Sequence, residues 1–315
     1  MDTWPALIAH ADWSITPRKR WVARAIHEAD GRYILQAPER VGDTSTWLNR
    51  LRYVADGGSV LLGVDFPIGL PLAYARRAGI VDFLDILPRL GVGDWADFYR
   101  PATKPEEIGL AQPFYPARPG GTCRQHLLDG LGVSRIDDLR RACDRQHGQR
   151  RAAAPLFWTM GAQQVGKAAI SGWRDVLGPA LRERDDVTLW PFAGSLGGLF
   201  DRGGIVVAES YPAEFYTHLG ITFPKGPDGH GGKRSPYSRA ANAPTLLAWA
   251  AANSVKLSDD LAALIRSGFG PSAAGEDAFD AVVGLMGMLN VLFGHRPAGE
   301  PEDEAVRRVE GWILG

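Results

Sequence analysis

Gly275-Glu276-Asp277-Ala278-Phe279-Asp280-Ala281-Val282-Val283 opens an apolar run that continues through Leu285, Met286, Met288 and Leu289. Read as a helix, this stretch sets Asp277 and Asp280 three residues apart on one face, and the rest is apolar nearly all round. Such a helix is buried, and packing alone gives it no use for paired carboxylates. The two acids either complement the positive N-terminal end of the helix or bind something cationic. Both readings stay open on this stretch alone, so the question becomes whether other acids in the chain meet these two.

Three apolar runs end in acids. Ala6-Leu7-Ile8-Ala9-His10-Ala11-Asp12 reads as a short buried strand that delivers Asp12. Ser59-Val60-Leu61-Leu62-Gly63-Val64-Asp65 has the unbroken apolar character of a strand covered on both faces. Gly204-Ile205-Val206-Val207-Ala208-Glu209 repeats the pattern. A carboxylate beside a sheet is costly unless it is paired, protonated or metal-bound, so three at equivalent strand ends point to a shared site.

Between the first two runs, Trp21 to Glu28 and Tyr33 to Ala37 read as strands joined through Ala29-Asp30-Gly31-Arg32, whose Asp-Gly marks a hairpin. Asp43-Thr44-Ser45-Thr46 supplies a helix cap, with Trp47, Leu48, Leu51 and Val54 at helical spacing up to Gly57-Gly58. A helix followed by the Ser59–Asp65 strand implies a right-handed crossover that sets this strand parallel to an earlier one. From Leu72 to about Phe200 the pattern is mostly helical, with segments near 72–92, 122–151, 161–171 and 174–184 broken by a Pro-rich aromatic stretch from Phe98 to Pro119. Within it Arg135, Arg140, Arg141, Arg145, Arg150 and Arg151 outnumber Asp137, Asp138 and Asp144, which reads first as a solvated helix face and second as a phosphate-tracking surface. Two more helices, near 241–252 and 258–267, precede the stretch quoted first.

The predicted architecture is α/β. It is a mixed five-stranded sheet in the order 3-2-1-4-5, with a large, mostly helical insertion between strands 4 and 5. The division is 1–71 for the first part of the core, 72–200 for the insertion and 201–315 for the second part. This order is that of the ribonuclease H fold, in which strands one and four are parallel neighbours and the last helix brings its N-terminal acids to the same edge. Asp12, Asp65, Asp277 and Asp280 then gather, with Glu209 beside them. Hard oxygen ligands in such a cluster select Mg²⁺ or Mn²⁺, and two ions about 4 Å apart would serve phosphodiester hydrolysis.

The composition bounds the alternatives. The chain has 315 residues, 45% of them hydrophobic and 23% charged, and a formal net charge of −1. That balance gives no global field for nucleic acid or an anionic membrane, so a polyanion must be held by a local patch. Lys233, Arg234 and Arg239 are the candidates for holding a phosphate, in and just beyond the loop Lys225-Gly226-Pro227-Asp228-Gly229-His230-Gly231-Gly232-Lys233-Arg234-Ser235. His230 reads as an exposed loop histidine. The loop is no P-loop, because Pro227 and Arg234 stand where that spacing needs Gly and Ser or Thr. Cys123 and Cys143 are the only cysteines, too few for a disulfide framework, and no apolar run has the length of a membrane span. The expectation is a cytoplasmic protein without membrane contact.

Several short motifs resemble known families. Asp277-Ala278-Phe279-Asp280-Ala281 looks like the final-helix motif of RuvC-type Holliday-junction resolvases. It also forms a series with Gly63-Val64-Asp65-Phe66-Pro67-Ile68-Gly69-Leu70-Pro71, Trp190-Pro191-Phe192, Glu209-Ser210-Tyr211-Pro212 and Glu310-Gly311-Trp312-Ile313. Together these resemble DUF429, a family described as predicted nucleases of ribonuclease H fold. The resemblance implies a divalent-metal-dependent nuclease with Asp12, Asp65, Asp277 and Asp280 as metal ligands and Glu209 as an outer ligand or base. The resolvases carry Glu where this chain has Asp65, one methylene shorter. A nucleic acid or nucleotide is the expected substrate. The two alternatives are a phosphotransferase or nucleotide hydrolase on a related sheet, and a non-catalytic binding protein whose acids are inactive.

Overall fold

The computed structural model describes residues 4–146, 151–161 and 165–315. The strands, in chain order, are β1 (Leu7–Asp12), β2 (Trp21–His27), β3 (Tyr33–Leu35), β4 (Glu39–Arg40), β5 (Val60–Val64), β6 (Val187–Leu189), β7 (Ile205–Glu209) and β8 (Lys256–Leu257). The chain divides into two compact units. The first comprises Met1–Asp65, Gly197–Ala298 and Leu314–Gly315, and the second Phe66–Leu196 and Gly299–Ile313. No helix among the described residues is long and apolar enough to cross a membrane.

The first unit is built on a mixed sheet in the order β7-β5-β1-β2-β3-β8, with β4 pairing with β2. β1, β5 and β7 are parallel neighbours, and β2 runs antiparallel to β1 and β3. Every residue of β1, β5 and β7 is buried, which is why these runs carry no alternation. The hairpin expected at Asp30-Gly31 joins β2 to β3, with Gly31 at φ 81° supplying the turn. Residues 36 and 37 fall outside the shorter third strand. Neither β4 nor β8 was expected, because two-residue strands are defined by their partners and not by any pattern of their own.

Helix Thr44–Val54 begins at Asp43, whose carboxylate accepts the N–H of Ser45 at 2.9 Å, and buries Trp47, Leu48 and Leu51. The long helix Gly275–Leu292 packs on β1 and β2. It comes close because of Gly284, where a Cβ would stand 2.1 Å from the His10 ring on β1. His10 Nδ1 lies 3.2 Å from the Ala281 carbonyl, and burial pulls its pKa down to about 3, so the ring is neutral and Nδ1 donates.

The second unit holds most of the segment expected to be helical, but its helices are shorter. They include Leu72–Arg77, Phe83–Ile86, Arg124–Leu131, Val165–Gly172 and Gly178–Glu183. The helix expected over 122–151 stops at Leu131 because Gly132 takes the left-handed conformation, φ 65°, that ends helices. Residues 147–150 of that range, Arg150 with them, and residues 162–164 lie outside the described residues. Nor do the described arginines form one solvated helix face, although Arg135 is exposed. Arg141 is fully buried, pairs with Asp144 at 2.8 Å and donates to the carbonyl of Ile68 at 2.9 Å.

The expected division at 71/72 and 200/201 also shifts. Residues 299–313 group with the second unit, where the Glu310 carboxylate accepts the N–H groups of Leu72 at 2.9 Å and Ala142 at 2.6 Å. An acid followed by Gly311 carries no sign in sequence of the distant N–H groups it will accept.

Candidate active site

Sheet register brings the first two acids together. Ala11 on β1 pairs with Val64 on β5, and the N–H of Asp65 donates to the Ala11 carbonyl at 3.0 Å. Asp12 and Asp65 therefore stand in one row, each a residue beyond the Ala11–Val64 pair, and leave the sheet on the same face. His10, two residues before Asp12, shows that this face is the one covered by helix Gly275–Leu292. Asp280 lies on that helix, one residue before the Ala281 carbonyl that binds His10.

Three carboxylates thus converge from segments far apart in the chain. Asp12 is 8% exposed and Asp280 2%. Burial raises the Asp12 carboxyl well above the ordinary aspartate range, and the charges of Asp280, Asp65 and Asp277 add to this. Asp65 is raised in the same way, by burial first and then by Asp280. Asp280 is raised by burial, although Lys233 and Tyr216 pull it the other way. Like charges this close cannot all ionise without a counter-cation.

Lys233 is that cation. Its Nζ donates to one oxygen of Asp280 and the Tyr216 hydroxyl donates to the other. Burial opposes the charge on Lys233, but the attraction of Asp280, Asp12 and Asp65 outweighs it and holds the ammonium protonated. Asp277 is half-buried and belongs to the cluster only electrostatically; burial and then Glu276 raise its pKa, and Lys19 lowers it. The helix has Ala274 at its N-cap, so no side chain caps it, and the acids of its first turn are Glu276 and Asp277. Asp277 therefore also fits the reading in which it complements the helix end, whereas Asp280 lies beyond that first turn.

The other expected residues part company with the cluster. Glu209 pairs with Val64, one row below Asp12 and Asp65, so the pleat turns it to the opposite face. It is buried and raises the Asp65 pKa through its charge alone. Arg239 is fully buried and its guanidinium donates to four main-chain carbonyls, those of Gly268 at 2.8 Å, Lys233 at 2.6 Å, Gly270 at 3.3 Å and Ser272 at 2.7 Å. It positions the Lys233 backbone and the approach to the long helix, and is not turned to a phosphate. Arg234 and His230 are exposed.

Tyr216 and Lys19 were not expected. Tyr216 sits on helix Pro212–His218, seven residues past the acid that ends β7, and only its hydroxyl on a helix that buries Phe215 hinted at a polar neighbour. Lys19 ends the short turn Pro17–Lys19 beyond Asp12, inside the basic trio Arg18-Lys19-Arg20. Arg20 in that trio stacks over Trp13 at 4.2 Å and donates to the Ser14 carbonyl at 2.7 Å.

Carboxylate oxygens are the right donors for Mg²⁺ or Mn²⁺. Among the described residues, however, no group of three or more His, Cys, Asp or Glu side chains is arranged to hold a metal ion. The donor chemistry fits, while the arrangement closes on Lys233, which with Tyr216 takes both oxygens of Asp280. Compared with known proteins, the chain matches no family model, no curated protein and no solved structure.

Proposed function

We propose that the chain is a divalent-metal-dependent phosphodiester hydrolase of ribonuclease H-like fold, acting on nucleic acid or a nucleotide. The observation that carries this reading is the convergence of Asp12, Asp65 and Asp280 on one face, each carboxyl held above its ordinary range. A fold gains nothing in stability from such a group, so its presence argues for chemistry. The strand order β3-β2-β1-β5-β7 supports the fold, and the DUF429-like motifs support the hydrolase.

Asp12 and Asp280 would hold the metal, with Asp65 and Asp277 completing the set. When bound, Mg²⁺ or Mn²⁺ supplies positive charge to the phosphate and acidifies a water. Lys233 would exchange Asp280 for a substrate phosphate, with Arg234 beside it. Arg239 holds the Lys233 backbone in reach.

A second reading, a binding protein with inactive acids, is favoured by one observation: Asp280 is already salt-bridged to Lys233. Mn²⁺ titration followed by thermal unfolding separates the two. A rise in Tm that is lost in Asp12→Asn supports the metalloenzyme, and no rise supports the binding protein. Incubation with Mn²⁺ and branched DNA, single-stranded DNA, RNA or nucleotides then tests the activity. Cleavage abolished by Asp280→Asn supports the hydrolase, whereas phosphate release from nucleotides alone would make it a nucleotide hydrolase.

A further inference from the structure

The second unit carries a cavity of about 440 Å³ with the side chains of Arg100, Arg174 and Arg182 around it and Tyr99 and Trp173 in its wall. Its size is that of a small-molecule site. None of the residues lining it is acidic.

The three arginines are held in place without being consumed. Asp97 accepts from Arg100 Nε at 2.9 Å and Gln112 Oε1 from its Nη2 at 3.3 Å, Asp175 accepts from Arg174 Nε at 2.7 Å, and the Pro88 carbonyl accepts from Arg182 at 3.0 Å. These contacts leave further N–H groups on each guanidinium. A guanidinium fork fits the oxygens of a phosphate, and with Arg100 and Arg174 paired to Asp97 and Asp175, Arg182 brings the uncompensated charge.

Tyr99 completes the wall. The residue is 9% exposed, its ring lies beside Gly91, and its hydroxyl is buried away from the cavity opening.

We propose that this cavity binds a small phosphate-bearing molecule, with Arg174, Arg182 and Arg100 gripping the phosphate. The site is independent of the carboxylate cluster and does not rest on the hydrolase reading.

Isothermal titration of the full chain in metal-free buffer, with ionic strength held constant by NaCl, tests it. The probes are inorganic phosphate, pyrophosphate and AMP. Saturable binding is expected for at least one probe. Arg174→Gln and Arg182→Gln should each weaken it about tenfold, without lowering the Tm of the ligand-free protein. Binding should persist in Lys233→Gln and Asp12→Asn. The proposal is overturned if no probe binds above the NaCl control. It is equally overturned if binding survives the Arg174→Gln/Arg182→Gln double variant or disappears in Lys233→Gln. Because Arg174 and Arg182 are exposed, such variants should fold, and far-UV circular dichroism checks that they do.

Discussion

At the scale of residues, the cluster sets a pH dependence whose sign follows from the raised carboxyls. Asp65 ionises in the unfolded chain near its ordinary value of 3.8 and well above that in the folded protein. Its contribution to stability is therefore fully present below about pH 3.8 and is lost as pH rises through the raised folded value. Asp65→Asn removes that loss. In EDTA the variant should be more stable than the parent at pH 7 to 8, by about 1–3 kcal/mol, and no more stable near pH 3.5, as read from urea unfolding at each pH. A variant less stable at pH 7 would show that the Asp65 carboxylate is compensated in the metal-free protein. Arg239 gives the opposite case. Arg239→Met strips four main-chain carbonyls of a buried donor and should cost about 3–5 kcal/mol by the same measurement. Asp12, Asp65 and Asp280 were legible because each interrupts an apolar run at its boundary. Arg239 was not, since its partners are backbone carbonyls that have no letter in the sequence.

Elements decide which of the legible residues meet. Each of the three strand-end acids could be read from its own run, but which face it takes depends on pairing. Glu209 falls one row short of Asp12 and Asp65, and that single step sends it to the other face. The long helix was legible in full, from Gly275 onward, because its apolar residues leave no other environment for it. What could not be read was how near it lies to the sheet. Gly284→Ala places a Cβ 2.1 Å from the His10 ring, so the helix or the ring must shift. The expected cost is about 1–3 kcal/mol of stability, measured by urea unfolding, with a shift in the His10 ring resonances by NMR. If the variant is as stable as the parent, helix and strand have more freedom than the close approach implies.

Across the whole molecule, the chain passes between its two units at residues 65/66, 196/197, 298/299 and 313/314. The insertion was visible as a change from strand runs to helical ones, but its closing segment was not. Residues 299–313 were expected in the second part of the core, but they group with residues 66–196, where the Glu310 carboxylate is bound to Leu72 and Ala142. Glu310→Ala should therefore loosen the second unit selectively. Hydrogen exchange should quicken at the amides of Leu72, Ala142 and the 306–312 segment, by about 1–3 kcal/mol in opening free energy, while amides of β1 and β5 keep their protection. Equal loss of protection in β1 would show that Glu310 supports both units.

The bond between His10 and the Ala281 carbonyl spans 271 positions. During synthesis on the ribosome, β1 is made long before its covering helix. Until that helix follows, an apolar strand ending in Asp12 has no lid, and it is open to pairing with other nascent chains. Any chain cut before the long helix leaves that strand uncovered for good, which makes aggregation of C-terminally shortened chains a property of the topology and not of their composition.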